Sequence, residues 1–583
     1  MRKEQADHNT LTAMQEVLQQ YVPVIQSWVT EDGHLPDPYE TTYSENYAPA
    51  NAAAVLASVC HSGGDLGAGE LLDRMLSRTV ELLEDKQNVN PFCRVFLYHY
   101  SLLALLLAPE AERSRLLQRY GSALAAYEDD CPVVNTNCAA LQWSMELFAD
   151  ALGLRLANEQ LLRHRLQFIE RAQLHSGFIN DEVNEEESLD GMPIAYHAFT
   201  LFLLTSAFAV IEQWPSSLKA SKAEAERIVL RGTAWLRQAI APDGTFAMVE
   251  RSGYQMFVWG AVTALLAATI QDRNDESLMS ESFRSWLSYR HDDGTYSCTA
   301  NHLPHSLRAG YEQYTHLNMY NLLGLSGIAI AARLLERRIR LGDSLLEAGS
   351  EKLQHHPAGA SHAYIDYGSG YAFYRQGDDF FGCTLRMHNR RYTPAIQGFH
   401  FRLAGQKMPI AEPRLPGSTA SAERAVQDGV WEGFLLLDQE GNVHYPNALS
   451  NAEAVPAEDG LTLISEGEWV RCSKTITMRN GVLRWRYQLI MKRPITSCQH
   501  VIPLVVHDGR HPLRVMAKEE CLLLMQHDNR SYELRCDDAS SIRMELNRSL
   551  LSASGASAQV CIHIAESLAA DSVIEWETSC AIV

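Results

Sequence analysis

The segment "GYEQYTHLNMYNLLGLSG", residues 310–327, opens with tyrosines, amides and a histidine and becomes apolar helix within about two helical turns. Five other segments have the same form: "TYSENYAPANAAAVLASVC" (42–60), "NVNPFCRVFLYHYSLLALLL" (88–107), "NTNCAALQWSMELFADALG" (135–153), "DGMPIAYHAFTLFLLTSAF" (190–208) and "SGYQMFVWGAVTALLAATI" (252–270). Between them lie helical patterns charged on one face, at 12–28, 68–85, 110–126, 158–174, 221–240 and 281–291. A helix apolar nearly all round is buried on every side, whereas one with a charged stripe faces water. Six of each in alternation describe two concentric layers.

The connectors repeat too. "DGHL" at 32, "SGFI" at 176, "DGTF" at 243 and "DGTY" at 293 each place a glycine turn and one anchoring apolar residue after an outer helix. Irregular repeat length and long loops favour a closed ring over a helical solenoid. The expectation is an (α/α)6 toroid, complete or with part of the ring missing, over residues 1–345. After "HHPAGASHAY" (355–364), short runs such as "GYAFYRQ" and "FFGCTLRMH" alternate apolar and polar residues between Gly, Asp and Asn turns. Residues 346–583 are therefore expected to form an antiparallel β-sandwich, with a helical segment near 325–352 leading into it.

The net charge of −21, from 50 basic and 71 acidic residues, argues against a nucleic-acid ligand. The N-terminal "MRKEQADHNTLTAMQEVLQQ" has no apolar signal core and no later stretch is apolar for about 18 residues, so a cytoplasmic protein without a membrane segment is expected. The 12 cysteines show no zinc-type spacing, and neither a structural metal nor a cofactor is expected. Nothing in the sequence bears on oligomeric state.

In a toroid the six polar openings meet at one rim. Tyr311, Tyr314, Asn318 and Asn321 follow helical spacing, placing them on one expected helix face. With Tyr254, Trp259, His316 and Arg251 they would line a cleft of flat rings and hydrogen-bonding groups of the kind sugars occupy.

Two openings are more specific: Asn135, Thr136, Asn137, Cys138, and "LDGMPIAYHAF" with Tyr196 and His197, 196 − 137 = 59 residues beyond Asn137. In these motifs and in its α-then-β layout the chain resembles the heparinase II/III-like and alginate-type polysaccharide lyases. Cys138 stands where that family has a histidine, and "MPIA" replaces the Glu/Gln-Ser pair before Tyr-His. The resemblance implies β-elimination at a uronic acid in an oligosaccharide substrate. Asn137 would hold the carboxyl group, Asn135 would assist binding, and Tyr196 would act as acid and could also serve as base, with His197, Arg251 or His316 supplying the charge that activates a phenol. His388 and His400 are the β-domain histidines that could take part. A divalent cation at the carboxylate is the one addition this chemistry would admit.

Two other readings remain open. A glycoside hydrolase acting on glucuronides or unsaturated uronides would need a pair of carboxylates, from Asp190, Glu250 and Glu312; Asp181 and Glu182 read as a solvated acidic loop. A glycan-binding protein without catalysis would keep the cleft and lack the acid and base.

Overall fold

The computed structural model describes residues 2–40, 45–64, 67–180, 193–246, 249, 255–312, 314–341, 346, 361–386, 397–412, 430–445, 452–539 and 541–583. Six inner helices, α2 (Ala48–His61), α4 (Pro91–Leu107), α6 (Thr136–Ala151), α8 (Ile194–Val210), α10 (Phe257–Ala268) and α12 (Leu317–Leu341), each pack on the next, and α12 returns to α2. The ring is closed. Outside it lie α1 (Arg2–Trp28), α3 (Ala68–Glu84), α5 (Glu110–Ala125), α7 (Glu159–Ala172), α9 (Lys219–Gln238) and α11 (Arg273–Leu287).

The burial patterns explain the two layers. Every residue of α8 except Tyr196 is buried, whereas α3 buries the stripe Leu71, Leu72, Met75, Leu76, Thr79, Leu82 and Leu83 and leaves its charges to water. Polar caps fix where two of the inner helices, α4 and α6, start. Asn90 and Asn135 each accept the backbone N–H three residues on, from Cys93 at 2.8 Å and Cys138 at 2.9 Å. At the far rim, arginines meet the orphan carbonyls: Arg113 donates to Leu105, Leu106 and Ala108, and Arg237 to Thr269.

The connector repeat is a real structural unit. In each of the four, a backbone N–H donates across the turn, from Thr30 to His34, Leu174 to Phe178, Ala241 to Thr245 and His291 to Thr295, at 2.6 to 2.9 Å. Gly33, Gly177, Gly244 and Gly294 all carry positive φ, between 84° and 102° except Gly244 at 78°.

Glycines also set the spacing of the ring. A Cβ on Gly260 of α10 would lie 2.1 Å from the Gly324 carbonyl oxygen of α12, and one on Gly327 would lie 2.4 Å from the Gly260 carbonyl carbon. Gly260→Ala is expected to push the two helices apart and lower stability by about 1–3 kcal/mol. The denaturant midpoint measures this; an unchanged midpoint would mean that the crossing is looser than described.

The second half forms three antiparallel sheets. The first runs β1 (His362–Asp366), β2 (Tyr371–Gln376), β3 (Asp379–Thr384), β4 (Phe399–Leu403), β5 (Gln406–Lys407). The second has eight strands, including the hairpin β10 (Val470–Arg479) and β11 (Val482–Met491), whose Asn480 and Gly481 both have the positive φ of a tight hairpin turn. The third has five strands, centred on β12 (Ile495–His507). Side chains from the three sheets share one apolar core.

The first sheet sits against the helical ring. Tyr371 and Phe373 meet Trp235 of α9 edge-on, and Trp235 Nε1–H donates to Asp366 at 2.8 Å. Nearby, Asn301 donates to the Ala553 carbonyl at 2.9 Å and Lys407 to the Ala300 carbonyl at 3.0 Å. Because these contacts involve the segments leading into inner helices, the β-sheets adjoin the same rim at which those helices begin. Among the described residues no helix is long and apolar enough to cross a membrane.

Candidate functional site

Tyr196, in the first turn of α8, is half-buried at the rim, and its hydroxyl lies 3.3 Å from that of Tyr314, in the loop before α12. One turn deeper on α8, Thr200 donates to Asn137 Oδ1 at 2.8 Å and lies 3.1 Å from Thr136 Oγ1. Holding Oδ1 in this way fixes which end of the Asn137 amide is the donor end. Two helices thus join the amide and the phenol in one group.

Aromatic rings surround that group. Tyr47, at the cap of α2, stacks on Phe96 of α4 at 4.4 Å. Phe96 lies near Phe199 of α8, Phe199 meets Phe257 of α10 edge-on, and Phe257 contacts Tyr320 of α12 at 4.7 Å. Tyr320 in turn meets Tyr314 at 6.4 Å. Burial pushes the Tyr320 hydroxyl well above its ordinary pKa, and Tyr314, Tyr47, Tyr196 and Glu312 add to the rise. Glu312 is itself buried, and its backbone N–H donates to Thr315 Oγ1 at 3.1 Å. It is a carboxylate within the tyrosine cluster.

A second polar group lies in the segment before α12. Arg308, with φ 47°, is ion-paired with Glu40 and lies over the Tyr311 ring at 5.2 Å. His316 Nδ1 is 3.7 Å from Glu40 Oε1. Tyr311 turns toward His305, with its hydroxyl 3.4 Å from Nδ1.

Several residues expected in the cleft serve the scaffold instead. The expected helix face does not exist for Tyr311 and Tyr314, because α12 begins at Leu317 and both lie in the loop before it, with different partners. Asn318 is buried: it donates to the Leu35 carbonyl at 2.8 Å, and its backbone N–H donates to Asp37. Asn321 accepts from Tyr21 and from the Tyr296 backbone. Trp259 is sealed, stacked on Tyr289 at 5.4 Å with Phe246 at its edge. Asn135 caps α6. His400 is also sealed, beside Glu412 and Thr245 at the contact between ring and sheet. Asp181, Glu182, Asp190, Glu250, Arg251, Tyr254 and His388 lie outside the described residues.

His197 is the clearest correction. It is fully buried, its Nδ1 accepts from the Ile179 backbone N–H at 3.0 Å, and its Nε2–H donates to the Gly232 carbonyl at 3.0 Å. Both nitrogens are used, and Phe178 stacks on the ring. Burial lowers its pKa from 6.5 to about 3, so it remains neutral and cannot supply charge to Tyr196. His99 is lowered to about 3, and His302 and His305 to about 4, chiefly by burial.

In these four the folded-state pKa lies below the unfolded one, so the unfolded chain binds the extra protons. Their stabilisation is complete above about 6.5 and is lost progressively as pH falls toward 3. Melting temperature is therefore expected to drop steadily between pH 7 and pH 4, and His197→Phe, which cannot be protonated, should flatten that slope relative to the parent. An equal slope in the variant would remove His197 from the explanation.

Sequence reasoning missed Thr200, Tyr47, Phe96, Phe199, Phe257, Glu40 and Arg308. Thr200 alone left a signal, four residues after Tyr196 and so on the same helix face. Among the described residues no group of three or more His, Cys, Asp or Glu side chains is arranged to hold a metal ion.

No family model matches the chain, and no curated protein does. Among solved structures, the chondroitin AC lyase of Streptomyces coelicolor aligns at 8% identity and a TM-score of 0.47, over 98% of this chain and 79% of that one. A Paenibacillus xanthan lyase aligns at 9% identity and 0.47, over 100% of this chain and 57% of that one. The type II terpene cyclase MstE of Scytonema aligns at 12% identity and 0.35, over 57% of this chain and 99% of that one.

Proposed function

We propose that the chain is a carbohydrate-active enzyme that cleaves uronate-containing oligosaccharides by β-elimination. The observation that carries this reading is the pairing of the Tyr196 and Tyr314 hydroxyls at 3.3 Å, with the Thr200-oriented Asn137 amide on the neighbouring helix. The inner helices all begin at this rim, so their N-terminal partial positive charges converge there and favour an anionic sugar in spite of the chain's net charge.

In the reaction Tyr196 oxygen takes the C5 proton of the uronate. The C5–H electron pair becomes the C4–C5 double bond as the C4–O4 bond breaks, and O4 leaves with a proton from the tyrosine pair. Asn137 N–H groups stabilise the charge that grows on the carboxylate. A hydrogen bond from Tyr314 stabilises the Tyr196 phenolate, the role His197 is too well buried to take. The surrounding rings are buried against one another and hold the tyrosine pair in place.

The test is incubation with a panel of uronate oligosaccharides, following the ultraviolet absorbance of a double bond conjugated to the carboxylate. Rising absorbance supports elimination. Saturated reducing ends without it would establish a hydrolase, and binding without products a non-catalytic glycan-binding protein.

A further inference from the structure

The segment from α11 to α12 brings together His291, His302 and His305. The His291 ring lies 4.3 Å from that of His305 and 6.0 Å from that of His302, centroid to centroid. Hydrogen bonds fix the neutral form of two of them. Ser297 Oγ donates to the Asn301 carbonyl, so toward His291 it can only accept, and the His291 proton sits on Nε2, 2.7 Å away. Thr295 Oγ1 donates to Asp293 at 2.6 Å and therefore accepts from His305 Nε2–H at 2.8 Å. His305 Nδ1 is left as an acceptor, 3.4 Å from the Tyr311 hydroxyl. His302 Nδ1 is buried with no hydrogen-bond partner among the described residues.

The same segment is clamped to the β-half. His302 N–H donates to the Asp508 carbonyl, in the loop after β12, at 2.6 Å, and a Cβ on Gly509 would lie 2.1 Å from the His302 carbonyl carbon. Arg510 of that loop donates to the Arg290 carbonyl at 2.7 Å. Farther along, the segment carries Tyr311 and Tyr314. We propose that the His291, His302 and His305 cluster is an acid-operated latch between the helical ring and the loop after β12, closed while the three rings are neutral and opened by their protonation. A proton on His305 Nδ1 removes the acceptor that faces Tyr311. One on His302 Nδ1 places charge on a buried atom at the clamp itself. The latch stands whether or not the tyrosine site is a lyase.

The groups around the cluster come from several elements. Burial is the main force against charge on each of the three rings. Arg510 opposes charge on His291 and His302, Lys407 of β5 opposes it on His302, and His291 opposes it on both partners. Asp292 and Asp293 of the segment itself favour it, as does Asp508, which also holds His511 at 3.0 Å. Tyr39, from the connector between α1 and α2, packs on His305 at 5.5 Å, and Tyr289 stacks on His302 at 5.2 Å. The balance lowers all three and brings His302 and His305 to about 4. The closed state therefore binds protons more weakly than the open one, so the latch is firm above about 6.5 and loosens as pH falls toward 4. At pH 5, His302 and His305 should each favour opening by roughly ten- to a hundredfold.

The experiment follows hydrogen–deuterium exchange of the full chain at pH 7.5 and pH 5, with rates corrected for the intrinsic effect of pH and peptides mapped by mass. Peptides over residues 291–311 and 508–513 are expected to exchange at least about tenfold faster at the lower pH, while α8 and the hairpin of β10 and β11 keep their protection. His302→Gln and His305→Gln, whose side chains cannot be charged, should each reduce that acceleration. If neither variant folds, the profile of the parent chain decides by itself. No acceleration in the two segments, an equal acceleration throughout the chain, or a parent-like acceleration in both variants would overturn the proposal.

Discussion

Tyr196→Phe is expected to lower the rate of product formation by about 10²- to 10⁴-fold, the usual scale of a lost general acid or base, with little change in melting temperature. The hydroxyl is half-buried at the rim, so removing it leaves the aromatic packing of α8 intact. The hydroxyl lies 3.3 Å from that of Tyr314. Tyr314→Phe should have a smaller effect and move the alkaline side of the pH–rate profile upward, because the Tyr196 phenolate loses a donor. Full activity in Tyr196→Phe would remove the tyrosine from the mechanism. A large fall in stability would instead place it in the scaffold.

The second large effect concerns the contact between the helical ring and the first sheet. Arg402 of β4 is 2% exposed, donates to Asp243 at 2.5 Å and lies 3.4 Å from Glu412, which is also 3.0 Å from His400. Burial alone would raise both carboxyls, yet Arg402 and His400 hold them below the ordinary range. Arg402→Met removes the cation from buried Glu412 and partly buried Asp243, a change expected to destabilise the protein by about 3–5 kcal/mol. The double variant Arg402→Met, Glu412→Gln should regain part of the loss. Denaturant unfolding measures both; equal stability of parent and Arg402→Met would show that the network is not needed to join the two halves.

The helical ring was legible in the sequence because burial on all sides and burial on one side leave different patterns, as α8 and α3 show. The connector glycines were legible because positive φ strongly favours glycine. The site was much less so. Asn318, Asn321, His197 and Asn135 are polar residues at the heads of inner helices, as sugar ligands would be, but they bond to backbone carbonyls, N–H groups and caps inside the protein. Residue type and spacing cannot separate an amide that faces a cleft from one that fastens a loop, since both need donors and acceptors near a helix start. The start of α12 at Leu317 was missed for a related reason: Tyr311 and Tyr314 follow helical spacing by coincidence within a loop. The aromatic wall was hidden because Phe96, Phe199 and Phe257 read as ordinary core in their own helices and meet only when the ring closes.

The most direct test of the central claim is cleavage of a uronate oligosaccharide in water enriched in heavy oxygen, with products weighed by mass spectrometry. Elimination at Tyr196 predicts fragments whose masses sum to that of the substrate, one bearing a C4–C5 double bond and neither taking oxygen from the solvent during cleavage. A fragment pair heavier by one molecule of labelled water would contradict the account and assign the site to hydrolysis.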